Sequence, residues 1–154
     1  MYYNRSADPI TIDSVQLLDP HNLVLHAAVL YEMSHYQHPL ALESAWSKEG
    51  TYVPAEQWAQ RQSIPGAAIP PGNGPFPSSV PRQDAPNAYQ IALSLSDAER
   101  GGGWATGVVI RYKSGGNSYT QTVLTGLAID SSPVPVASSC QAPMKAIAAA
   151  WRKM

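Results

Sequence analysis

Residues 87–130 read NAYQIALSLSDAERGGGWATGVVIRYKSGGNSYTQTVLTGLAID, and they decide the fold class. Tyr89, Ile91, Leu93 and Leu95 alternate with Gln90, Ala92, Ser94 and Ser96, the period-2 pattern of a strand with one buried face. Trp104 to Tyr112 is rich in β-branched and aromatic residues and forms a second strand, with Trp104 expected in the core. Tyr119, Gln121, Val123, Thr125, Leu127 and Ile129 fall on one face of a long return strand. Between the last two strands, Ser114-Gly115-Gly116-Asn117 supplies residues that tolerate positive φ, as a tight hairpin demands. The stretch is a fold signal and carries no catalytic motif.

Upstream, Pro9 to Leu18 reads as the first strand of the chain. Its alternation changes phase between Ile10/Ile12 and Val15/Leu17, which places a bulge near Asp13-Ser14. Asp19-Pro20-His21-Asn22 fits a type I turn. Leu23 to Tyr31 is apolar on both faces, the mark of a central strand. Met33 to Pro39 is a polar, aromatic loop, Leu40 to Trp46 alternates weakly as a strand, and Pro54 to Gln62 has the proline and early glutamate of a short helix. Ile64 to Pro86 holds seven prolines in 23 residues. Each proline removes a donor and fixes φ, so a meander without helix or central strand is expected, pinned by Ile64, Ile69, Phe76 and Val80. A linker between two domains is the rival reading, but the flanking segments are each too small to stand alone. Downstream, residues 143–154 form a helix opened by Pro143, with Met144, Ile147, Ala148 and Trp151 on one stripe. A helix this short is marginal unless its stripe packs on something.

These elements assemble on paper into an all-β fold. The expected architecture is an immunoglobulin-like antiparallel β-sandwich of about seven strands, with a proline-rich crossover and a short C-terminal helix. A chain of 154 residues can bury about 70% of its unfolded surface, so one domain over residues 1–154 is expected. Charged residues are only 14%, against about 25% in average proteins. With a formal net charge of −1, no general attraction to nucleic acid or anionic lipid is expected. One cysteine, Cys140, leaves no internal disulfide and no zinc-finger framework. Asn4-Arg5-Ser6 matches a glycosylation sequon, a short match that arises often by chance.

Chemistry-bearing residues are sparse. All four histidines, His21, His26, His35 and His38, lie within 18 residues, and with Asp19 they could make a surface metal site. His35 and His38 sit three apart in a loop broken by Pro39, unlike the helical pair of a zinc enzyme. The plainer reading is a turn histidine, a strand histidine and two loop histidines, with His21, His35 and His38 kept as the candidate ligands. Cys140 and Met144 have copper-site spacing, but no histidine follows His38 to complete a blue-copper ligand loop. Arg100-Gly101-Gly102-Gly103 leads into a strand rather than a helix, so it reads as a flexible loop and not a phosphate cradle. No nucleophile elbow or paired-carboxylate motif occurs, so no catalytic residue and no cofactor is assigned. The four tryptophans and eight tyrosines fill a core or line a groove.

Three segments carry a resemblance: ADPITIDSVQLLDPHNLVLHAAVLYE, WATGVVIRYKSGGNSYTQTVLTGLAI and the late Cys140. Together they resemble the extracytoplasmic portions of small membrane-anchored actinobacterial proteins of unknown function. The resemblance covers about half the chain and implies an outer location, with membrane attachment only through an N-terminal anchor preceding Tyr2. It implies no active site. The expected function is a non-enzymatic extracytoplasmic binding module whose partner is another envelope protein; the helix stripe with Met144, Ile147 and Trp151 packs by default on the chain's own sandwich, with docking into that partner as the alternative. The alternatives are a metal-handling protein or enzyme using the His21–His38 region, and a structural subunit of an envelope assembly.

Overall fold

The computed structural model describes residues 2–32, 59–72, 88–129 and 141–152. Among them, ten strands lie in antiparallel sheets, with one helix longer than a single turn. The fold is all-β. One sheet has the order β1 (Tyr2–Tyr3), β6 (Ala88–Asp97), β3 (Leu23–Glu32), β4 (Gln62–Ser63). A second has the order β5 (Ala67–Ile69), β2 (Ile10–Leu18), β8 (Gly107–Ser114), β9 (Asn117–Val123). A third pairs β10 (Leu127–Ile129) with β7 (Gly103–Ala105). The helix runs Gln141–Trp151.

Residue contacts divide the chain into two compact units. One comprises Met1–Asp13, Ala28–Ala92 and Tyr112–Tyr119, and the other Ser14–Ala27, Leu93–Arg111 and Thr120–Met154. In the first unit the core contains Ile12, Leu30, Tyr31, Ala67, Ile69 and Tyr89. In the second it contains Val15, Leu23, Ala105, Val108, Ile110, Leu127 and Ile147.

The phase change in β2 is present. Ile12 and Val15 are both buried although three residues apart, so their side chains cannot share one face of an unbroken alternation. As expected, β3 is central in its sheet, between β6 and β4. Near its start only Leu23 is buried, while toward its end Ala28, Leu30 and Tyr31 are buried, on both faces of the strand. The Gly115-Gly116 hairpin also holds. Both glycines take positive φ, 55° and 78°, the two-residue turn that suits the right-handed twist of β8 and β9. That turn sets Tyr112 opposite Tyr119, and their rings stack at 5.3 Å.

Other expectations are corrected. A two-residue strand, β1, precedes the segment expected to come first, pairing Tyr2 with Tyr89. Asp19-Pro20-His21-Asn22 is not a tight turn. Asp19 and Asn22 take positive φ, and His21 between them bridges to Trp104 through two backbone bonds of 2.7 and 2.9 Å. The strand from Trp104 to Tyr112 breaks at Thr106, and Trp104 is half-buried rather than a core residue. The long return strand breaks at Leu124–Gly126, and its first part, β9, is exposed from Asn117 to Thr122. The helix expected over residues 54–62 is helical at Ala59, but Gln62 already belongs to β4. Within the proline-rich stretch, β5 pairs with β2 as an edge strand, with Ile69 opposite Ile10. The proposed loop at residues 33–39, the strand at 40–46, Phe76 and Val80 lie outside the described residues.

Candidate functional site

A densely cross-linked point of the second unit is Thr106, the residue between β7 and β8. It is fully buried. Its N–H donates to the Leu18 carbonyl at 2.9 Å, and its hydroxyl reaches the same carbonyl at 3.0 Å and Asp19 Oδ2 at 3.2 Å. A buried hydroxyl left without partners would cost about 1–3 kcal/mol, so these bonds fix the break in the strand. The Thr106 carbonyl then accepts a 2.8 Å bond from the indole Nε1–H of Trp151. The next residue, Gly107, presses against the Val123 carbonyl so closely that a Cβ there would collide with backbone.

The C-terminal helix is held on the same unit by a second contact. Ile147 is 6% exposed, and a Cβ on Gly126 would come within 3.1 Å of its side chain. Glycine at 126 therefore makes room for the isoleucine. Trp151, in contrast, is tied by its nitrogen yet keeps 39% of its surface exposed. Leu124 is 47% exposed. Both flank Thr106-Gly107, Trp151 by its hydrogen bond and Leu124 by backbone approach. Around Trp151 the helix bears exposed Lys145 and, just past its end, exposed Arg152, and the span Gln141–Trp151 contains no carboxylate. The surface is apolar at its centre and basic at its edge.

The three residues assigned to an interaction thus separate. Trp151 is exposed, Ile147 is buried against its own chain, and the side chain of Met144 lies outside the described residues. Of the metal candidates, His21 is exposed and tilts against Trp104 at 5.5 Å, while His35 and His38 lie outside the described residues. His26 shares a 2.6 Å hydrogen bond with Ser96. Among the described residues no group of three or more His, Cys, Asp or Glu is placed to hold a metal.

Two asparagines act as hubs that the sequence did not reveal. Asn22 Nδ2 donates to the Glu99 and Gly102 carbonyls, both at 2.7 Å, and its Oδ1 accepts from Glu99 N at 2.8 Å. With a 3.3 Å bond from Gly102 N to Asp97, this pins the glycine loop expected to be flexible. Asn4 is 1% exposed, and its amide donates to Asp8 O at 2.7 Å and Pro70 O at 3.1 Å. The sequon nitrogen is therefore committed inside the fold and closed to glycosylation in the folded state. Burial, followed by the Glu32 charge, raises the Tyr89 phenol above its ordinary value and keeps it protonated. Comparison with known proteins returns no matching family model, no matching curated protein and no matching solved structure.

Proposed function

We propose that this chain is a non-enzymatic, extracytoplasmic binding module with an immunoglobulin-like sandwich architecture. Its partner is another envelope protein, which it meets through the Trp151–Leu124 surface. The sandwich reading is supported by strand order: β2 and β3 are consecutive but belong to different sheets, as in Greek-key connections. The outer location is supported by the low charge content and by the resemblance of the first and last thirds of the chain. The observation that carries the binding reading is Trp151, an exposed indole held in place by a hydrogen bond. An immobilised tryptophan loses little freedom on association, and tryptophan dominates measured binding hot spots. The basic edge formed by Lys145 and Arg152 favours a partner surface that is apolar with acidic flanks.

Site-specific photo-crosslinking tests this. A photoreactive residue at Leu124, in envelope preparations, should give a discrete adduct that Trp151→Ala abolishes. The same probe at Val24, an exposed apolar residue on β3, should give none. Equal adducts at both positions, or an adduct indifferent to Trp151→Ala, would defeat the proposal.

A further inference from the structure

We infer that β9 is a self-pairing edge, through which two copies of this chain associate as an antiparallel, two-fold symmetric strand pair. Among the described residues β9 ends its sheet, next to β8. The two-residue Gly115-Gly116 turn makes Ser114 and Asn117 a hydrogen-bonded pair, so Asn117, Tyr119, Gln121 and Val123 direct their backbone groups to β8. Ser118, Thr120 and Thr122 direct theirs outward, where the described residues offer them no partner. From Asn117 to Thr122 every residue is exposed.

Open edges of this kind are ordinarily blocked by a charge, a proline or a bulge. Asn117–Val123, NSYTQTV, has no charge, proline or glycine along its length. Its outward pattern is also its own complement. Antiparallel pairing about Thr120 sets Thr120 against Thr120 of the second copy and Ser118 against Thr122, in three pairs that exchange about six backbone hydrogen bonds. Ser and Thr across a strand pair hydrogen-bond each other favourably. On the other face Tyr119 meets Gln121, and no like charges oppose. The formal net charge of −1 adds almost no repulsion between copies. A second copy is therefore the occupant that this strand fits. One strand edge buries less than the ~1,200 Å² of a stable interface, so the dimer is weak and reversible.

Sedimentation velocity of the whole chain from about 20 μM to about 1 mM, where weak dimers populate, tests it. The wild type should shift from monomer to dimer across this range. Thr120→Lys sets like charges together at the symmetry axis and should weaken association at least ~10-fold. An equimolar mixture of Thr120→Lys and Thr120→Glu should restore it. A wild type that stays monomeric throughout overturns the inference. So does a dimer that Thr120→Lys leaves intact, or one that Trp151→Ala abolishes, since either moves the contact elsewhere. The Trp151 surface is read by crosslinking to a different protein, so either idea can fail without the other.

Discussion

The two ends of β8 live in opposite environments. At its start, Gly107, Val108 and Ile110 are buried, and chain segments near Leu18, Val123 and Trp151 converge on the Thr106-Gly107 junction. At its far end, Arg111 and Lys113 are exposed, and beside them β9 is open to solvent on both faces. The local sequence already differs, glycine and three β-branched residues over Gly107–Ile110 against two cations, a tyrosine and a serine over Arg111–Ser114. The origin of the neighbours differs as well. The start is packed by segments distant in sequence, whereas the end has its own hairpin partner and the partly exposed ion pair of Lys113 with Asp13 at 3.3 Å. Exposed pairs of that kind contribute only about 0–1 kcal/mol. Buried packing is concentrated at the start of β8, and exposed strand lies beside its far end.

The sharpest way to break this contrast is to crowd the buried end. Gly107→Ala would drive a Cβ into the Val123 carbonyl, and backbone cannot yield as a side-chain tip does. We expect a loss of about 3 kcal/mol in denaturant unfolding. A loss below about 1 kcal/mol would mean that β8 and the segment at Val123–Leu124 part easily there. Thr106→Val comes next. It keeps the shape of the buried side chain and the backbone bond to Leu18, but removes the hydroxyl from Leu18 O and Asp19. A loss of about 1–2 kcal/mol is expected. Trp151 fluorescence should also shift, because the indole hangs on the Thr106 carbonyl. An unchanged spectrum would show that the helix is held by Ile147 alone.

The same contrast explains what was legible in the sequence. The Gly115-Gly116 hairpin and the phase change in β2 are written in neighbouring residues, and each is found; of the helix stripe, Ile147 is buried while Ala148 and Trp151 are exposed. Thr106 is different: its hydroxyl bonds a residue 88 positions earlier, so nothing adjacent marks it as the point where a strand must break. Asn22 closes the glycine loop from 77 and 80 positions away. The sequon at Asn4 is a local match overruled by Pro70, 66 positions on. Trp104 was expected in the core because it opens an apolar strand. It is half-buried, and His21 bridges to it, a contact that alternation cannot encode. In the proposed binding surface, Trp151 is legible from the helix pattern. Leu124 was not, because it had been assigned to a continuous strand.

The smallest effect belongs to the exposed end, and it isolates backbone strain from packing. Gly116 has φ +78°, and a Cβ there would meet nothing within 4 Å. Gly115 has φ +55°, and a Cβ there would come within 2.7 Å of Asp8 Oδ2, so substitutions at 115 mix strain with a side-chain clash. At 116 only the conformational term remains. Gly116→Val forces a β-branched residue into the left-handed region and should cost about 1–2 kcal/mol. Gly116→Asn should cost distinctly less, because asparagine tolerates that region. Unfolding curves of the two variants measure the difference directly. If valine and asparagine cost the same, the penalty would not be positive φ, and the two-residue turn that aims Ser118, Thr120 and Thr122 outward would lose its basis.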